Sequence, residues 1–312
     1  MFEVPGDKMQ RVCVTGGAGF IGSRVVRGLL ERGIEVLVID NLSVGRRESV
    51  PAPAVLLEAD ILDPAVATEI ASCDAVVHMA ARVAIRSSFE FVVEDTSTNV
   101  VGTANILRSA AASGSRVKKF VFASSMAVYA DSAQATPIDE SYPVKPVSPY
   151  GVSKLAAETL VQQMCAEHGI DSATLRLFNT YGTGQALSPY VGVVTIFANA
   201  IREGRAPTIF GDGEQRRDFV HVEDVAKGFL GALEHPTNGE VFNIGSGCGL
   251  TVNQVYQEIA RALDFKQPPV YAQAVPGELR NSIANATKAA KSIGFSPDHS
   301  FADSIGDILK GM

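Results

Sequence analysis

The chain has 312 residues, 46% hydrophobic and 20% charged, with a formal net charge of −7, which suits a globular chain with an ample core and lacks the basic stripe of a nucleic-acid binder. No apolar run approaches the roughly 20 residues of a membrane-spanning helix, and Met1–Gln10 has no signal-peptide pattern. Cys13, Cys73, Cys165 and Cys248 lie far apart without a CxxC pair, so no metal site or disulfide framework is expected and reduced thiols in the cytoplasm are.

Val12–Thr15 reads as a strand that runs into Gly16-Gly17-Ala18-Gly19-Phe20-Ile21-Gly22, and Phe20–Arg32 as the following helix, stopped at Gly33. Glycines in this GxxGxxG spacing let a backbone turn tightly and approach a pyrophosphate. The helix start at Phe20 and Ile21 then offers free N–H groups and a positive dipole end. Glu35–Asp40 is the second strand. Asp40 at its end can accept hydrogen bonds from both ribose hydroxyls and would repel a 2′-phosphate, which favours NAD over NADP. Arg46 and Arg47 behind it read as solvated.

Val55–Ala59 is the third strand, with Asp60 and Ile61 after it in reach of an adenine edge. Ala75–Met79 is the fourth. Small residues follow it, so the backbone of Met79, Ala80 and Ala81 could lie along a cofactor, while His78 reads as a satisfied core histidine. Asn99–Ser113 forms a long helix, its first residue a cap, a sheet pin or a cofactor contact. Lys119–Ser124 is an apolar strand of the kind that is covered on both faces, Tyr150–His168 a third helix, and Ser172–Phe178 a further strand. The alternation implies a doubly wound parallel α/β sheet.

After Asn179 glycine and proline become frequent and the rhythm breaks, with helical patterns at Val252–Leu263 and Thr287–Ile293. A dinucleotide-binding domain is therefore expected at 1–178 and a smaller α/β substrate domain at 179–312. Part of 217–245, including Asp218–Leu233, is expected to return to the first.

Ser124 and Ser125 close a strand, and Tyr150-Gly151-Val152-Ser153-Lys154 opens a helix. Lys154 then falls one turn beyond Tyr150 on the same face. Taking a proton from an alcohol at neutral pH needs a base tuned near that pH. Lys154 and a cationic nicotinamide would both favour the phenolate, and lowering a phenol by about three units corresponds to about 4 kcal/mol. Ser125 could hold the reacting oxygen.

These segments resemble the extended short-chain dehydrogenase/reductase superfamily, specifically its NAD-dependent epimerase/dehydratase group with a Rossmann domain. The resemblance rests on TGGAGFIGS at 15–23, DNLSVG at 40–45, HMAA at 78–81, NVVGTANIL at 99–107, SSMAVY at 124–129, SPYGVSK at 148–154, LRLFNTYG at 175–182 and FGDGEQRRDFVHVEDVA at 210–226. It implies bound NAD, with Asn41, Ser43, Gly45, Asn99 and Ser124 joining the cofactor set. The dehydratases of the group carry an Asp-Glu pair after the catalytic serine or threonine, and the decarboxylases a glutamate. Met126-Ala127 stands there instead, which leaves oxidation and reduction at C4, the chemistry of a UDP-hexose 4-epimerase.

The resemblance further implies that Asn179 contacts the sugar nucleotide, Arg217 grips its pyrophosphate, and Phe210 frames the base. Where many relatives place an arginine on the second phosphate, this chain has Val275, with Arg280 five residues on as the substitute. Ser282 falls at a pocket-size gate, where a small side chain leaves room for an N-acetyl group. Arg86 could meet a carboxylate, which keeps a UDP-glucuronate 4-epimerase open. A 4-ketosugar reductase and a non-catalytic NAD-sensing protein are the other readings. A homodimer through the Asn99–Ser113 and Tyr150–His168 helices is implied by resemblance alone.

Overall fold

Strands built from Val, Ile, Leu and Phe with few polar breaks can only be satisfied by cover on both faces, and the computed structural model places them so. It describes residues 9–83, 87–132, 134–185, 192–274 and 279–311, and the backbone of 3–4 and 7–8. The first-half elements are β1 (Arg11–Thr15), α1 (Gly22–Leu30), β2 (Glu35–Asp40), β3 (Val55–Glu58), α2 (Ala67–Ala71), β4 (Ala75–His78), α3 (Val92–Thr96), α4 (Thr103–Ala110), β5 (Lys119–Ser125), α5 (Pro149–Glu167) and β6 (Asp171–Leu177). Then come β7 (Asn179–Tyr181), α6 (Val193–Arg202), β8 (Thr208–Phe210), β9 (Arg216–His221), α7 (Val222–Glu234), β10 (Glu240–Ile244), β11 (Gly249–Thr251), α8 (Val252–Ala262), β12 (Val270–Ala272), β13 (Asn281–Ser282), α9 (Thr287–Ile293) and α10 (Phe301–Lys310).

The central sheet has seven parallel strands in the order β10-β6-β5-β4-β1-β2-β3. The order reverses direction between β1 and β4, and open α/β sheets bind ligands at the carboxyl ends beside such a switch point. One apolar layer, including Val25, Leu29, Phe229 and Leu230, covers one face. Another, including Ile70, Ile106, Phe120 and Val161, covers the other. A third cluster of Phe197, Phe219, Val255, Ile259 and Phe301 lies among the later elements. Segment 217–245 contributes to both regions: β9 pairs with β7, β11 and β13, whereas α7 packs on α1 and β10 adds to the sheet beside β6.

Two helix starts differ from expectation. α1 begins at Gly22 rather than Phe20, because residues 16–21 spend their length on the turn. The helix expected to open at Asn99 begins a full α-helical segment earlier, at α3, and passes through a π-helical stretch, Ser97–Gly102, into α4. Asn99 is thus inside a helix and caps nothing.

Among the described residues no helix is long and apolar enough to cross a membrane, and no three His, Cys, Asp or Glu gather as metal ligands.

Candidate active site

The glycine turn is shaped by close approaches. Gly16 has φ +72°, and a Cβ there would lie 2.8 Å from the Ala80 nitrogen; at Gly22 it would lie 2.2 Å from the Gly16 carbonyl oxygen. The turn is pressed against the end of β4 on one side and against α1 on the other. No side chain caps α1; its Ser23 and Arg24 N–H groups donate to the Gly19 and Ile21 carbonyls, so the helix start offers an anion chiefly its positive dipole end. Phe20 and Ile21 lie on this turn, and Gly19 closes it by donating to the Gly16 carbonyl at 3.1 Å.

Asp40 is buried at the end of β2. It accepts from the Ala18 N–H at 3.0 Å and the Leu42 N–H at 2.9 Å, which ties the strand end to the glycine turn. Segment 41–46 folds back over the turn: Gly45 abuts Ala18, and Arg46 donates to the Ala18 carbonyl at 3.3 Å. Asn41 bridges the Ser43 N–H and the Asp60 carboxylate. Ile61 is buried, and its carbonyl accepts from Asn105. Arg47 pairs with Glu58 at the surface.

His78 is a core histidine. Thr15 Oγ1 accepts from the Met79 and Ala80 N–H groups, so its own proton goes to His78 Nδ1 at 2.7 Å. Nε2–H then donates to Thr103 Oγ1 at 2.9 Å, whose proton goes to the Asn99 carbonyl. Burial, with Lys154 nearby, holds the imidazole neutral down to about 3. The small run Met79–Ala81 is thereby set along the mouth of the glycine turn. Glycine turn, uncapped helix, strand-end carboxylate and small-residue run together suit an adenine dinucleotide.

The second half of the site forms where α5 starts. Ser148 Oγ accepts from the Gly151 N–H at 3.1 Å, with Pro149 in the first turn. A Cβ on Gly151 would lie 2.2 Å from the Ala127 carbonyl oxygen. That contact seats the helix on the Met126–Val128 turn and brings the Tyr150 hydroxyl near enough to Ser125 for the two to interact. Asn99 is buried, and its amide is fully used: Nδ2 donates to the Arg82 carbonyl and to Ser153 Oγ, and Oδ1 accepts from the Arg82 N–H. It pins the start of α5.

One expectation is corrected here. The protein's own groups do not bring Tyr150 down: burial pushes it up to about 12, Ser125 opposes this, and Asp95 adds to it. Lys154 lies further along the helix face, its Nζ 4.7 Å from the Phe122 ring centroid. Burial lowers Lys154 to about 8, with Glu158 pulling it back up. Ser124 Oγ donates to Glu158. Glu158, Arg176 and Asp95 escaped the sequence reading. Glu158 was within reach of it, four residues after Lys154 on the same face.

Among the expected substrate residues, Asn179 opens β7 with a buried Oδ1 that has no hydrogen-bond partner. Arg217 and Ser282 are register partners on β9 and β13; Ser282 is buried, its hydroxyl unpartnered. Arg217 donates to the carbonyls of Arg216 and Arg280. Arg280 spends its guanidinium on Asp212, at 2.8 and 3.0 Å, so its fork faces a carboxylate. The Phe210 carbonyl accepts from Gln215. Arg86 and Val275 lie outside the described residues.

The family described as the NAD dependent epimerase/dehydratase family matches residues 12–245. A putative UDP-glucose 4-epimerase of Methanocaldococcus jannaschii is 36% identical over 96% of this chain and 98% of its own. The crystal structure of a UDP-glucose 4-epimerase of Thermotoga maritima with UDP-glucose aligns at TM-score 0.92 and 36% identity, over 97% of this chain and 98% of that one. A UDP-N-acetylglucosamine 4-epimerase of Methanobrevibacter ruminantium M1 aligns at 0.91 and 31%, over 98% of each.

Proposed function

The chain belongs to the NAD-dependent epimerase/dehydratase family, and on that premise we propose that it is a UDP-hexose 4-epimerase interconverting UDP-glucose and UDP-galactose through a 4-keto sugar. One observation carries the choice within the family: half-buried Ser125, beside buried Tyr150, is followed by Met126 and Ala127, buried in a tight turn. An elimination or decarboxylation would need a further acid or base there. Exchange of one proton and one hydride at C4 does not.

Gly16, Gly19, Gly22 and Asp40, with the chain at 79–81, would hold NAD, which supplies reversible two-electron oxidation of a secondary alcohol and, when oxidised, a positive charge. Tyr150 Oη takes the proton of the sugar 4-hydroxyl and, once the 4-keto sugar has turned its other face to the coenzyme, returns that proton to the same oxygen while the hydride goes back to the opposite face of C4. Ser125 Oγ holds the same oxygen while it is a carbonyl. The nucleotide must stay anchored as the sugar turns, and the buried amide oxygen of Asn179 and the guanidinium of Arg217 suit that task. Ser282, small and buried, supports acceptance of N-acetyl sugars as well.

The homodimer implied by resemblance gains support from Val92, Val93, Val101 and Val152, exposed on the stretch from α3 to α4 and on α5, an apolar face of the kind that a second copy covers.

Incubation of the purified protein with UDP-, dTDP- and GDP-sugars, without added coenzyme and with products identified by NMR, tests the function. UDP-galactose should yield UDP-glucose. Turnover that depends on added NADH would instead mark a ketosugar reductase.

A further inference from the structure

Beneath Tyr150 and Lys154 lies a buried charge network that the chemistry above leaves unused. Tyr150, Lys154 and Glu158 recur at four-residue spacing on one face of α5, and their exposures are 4%, 3% and 2%. A carboxylate so deep is tolerated only when paired and hydrogen-bonded. Glu158 meets that condition: Oε1 accepts from Arg176 Nε at 3.0 Å and from Ser124, and Oε2 accepts from Arg176 Nη2 at 2.8 Å. Ser124 and Arg176 are register partners on β5 and β6, so one helix and two strands converge on this carboxylate. Arg176 is fixed on its far side by the Tyr129 ring, 4.7 Å away, and the Tyr129 hydroxyl donates to Asn243.

Lys154 stands one helical turn from this carboxylate. The groups around it are Tyr150 and Glu158 on α5, His78 from β4, which is neutral, Arg176 from β6 behind Glu158, and Asp95 from α3, which acts on Tyr150. Of these, Glu158 is the one that favours the ammonium. We propose that Glu158, clamped by Arg176 and Ser124, is the positioning residue that keeps the Lys154 ammonium charged on the Tyr150 face of α5. The inference rests on reading Tyr150 as the proton carrier.

Burial has already brought Lys154 down to about 8. Without Glu158 that burial acts unopposed, and Arg176 adds repulsion. Even against the net effect of burial, a Lys154 ammonium on the Tyr150 face favours the phenolate that proton removal needs, and a lysine is charged below its pKa, so a lower pKa moves the alkaline loss of activity to lower pH. With Arg176 removed as well, a carboxylate that had served only to neutralise it would have no such effect.

The test is a titration of ¹⁵Nζ-lysine-labelled protein by NMR, with Lys154 assigned through Lys154→Met, alongside the pH profile of UDP-galactose turnover. In wild type the Lys154 midpoint should lie near 8. It should fall by at least one unit, a tenfold change in the charged-to-neutral ratio, in both Glu158→Gln and the double variant Glu158→Gln/Arg176→Met, and the alkaline limb of kcat should follow. The double variant leaves neither member of the Glu158–Arg176 pair buried alone and decides the matter if the single one does not fold. A midpoint in the double variant equal to wild type, or a wild-type Lys154 titrating with ordinary lysines, overturns the proposal. The expected shift in a protein that turns over no UDP-sugar would overturn the epimerase reading and leave the Lys154–Glu158 coupling standing.

Discussion

Tyr150 meets opposed demands. Burial and Asp95 hold its proton on, whereas the proposed chemistry needs it off at neutral pH. The positive charge of oxidised NAD is the physical means of reconciling them, so the phenol should titrate lower with NAD⁺ bound than with NADH, as read by ultraviolet difference spectra. Tyr150→Phe should lower kcat by about 10²–10⁴-fold without loss of fold by circular dichroism; wild-type turnover would sink the mechanism. His78 offers a stability test. Its folded pKa, about 3, lies below the ordinary 6.5, so between those values the unfolded chain binds more protons. Stability therefore falls as pH drops through that window, by up to about 1.4 kcal/mol per unit. His78→Gln should flatten the dependence of melting on pH between 6.5 and 4.

At the scale of elements, the site is made by helix starts pressed onto neighbouring backbone. α1 and α5 each carry a glycine, Gly22 and Gly151, where a Cβ would lie 2.2 Å from a carbonyl oxygen. Gly22→Ala must push α1 away from the Gly16 turn. Coenzyme released on denaturation should drop several-fold, and undiminished NAD content would show that the turn does not hold it. The π-helical stretch between α3 and α4 does similar work. π-bulges recur at functional sites, and here one places Asn99 between the Arg82 backbone and Ser153 of α5. Asn99→Leu strands the half-buried Arg82 backbone groups and takes a donor from buried Ser153, and should cost about 1–3 kcal/mol in all, seen in urea unfolding, with kcat falling as Tyr150 loses its seat.

For the whole molecule, the second half of the chain returns to the first: α7 packs on α1, β10 extends the sheet, and β9 carries Arg217 beside Ser282. The proposed substrate groups therefore sit on elements braced by the central sheet. The exposed valines of α3 and α5 bear on assembly. Val93→Asp combined with Val152→Asp should convert a dimer to monomer in light scattering after size exclusion; a wild type that is already monomeric would refute the pairing.

The sequence by itself determined the sheet, because apolar runs with turn glycines between them have few ways to bury both faces. It also placed Tyr150, Lys154 and Ser125, because helical spacing and strand ends are local properties. What only the tertiary structure decided are encounters between distant residues: Glu158 with Arg176 and Ser124, Asn99 with Arg82 and Ser153, Arg280 with Asp212. The height of the Tyr150 pKa belongs with them. A pKa is set by burial and by charges gathered from separate elements, and neither exists until the chain has folded.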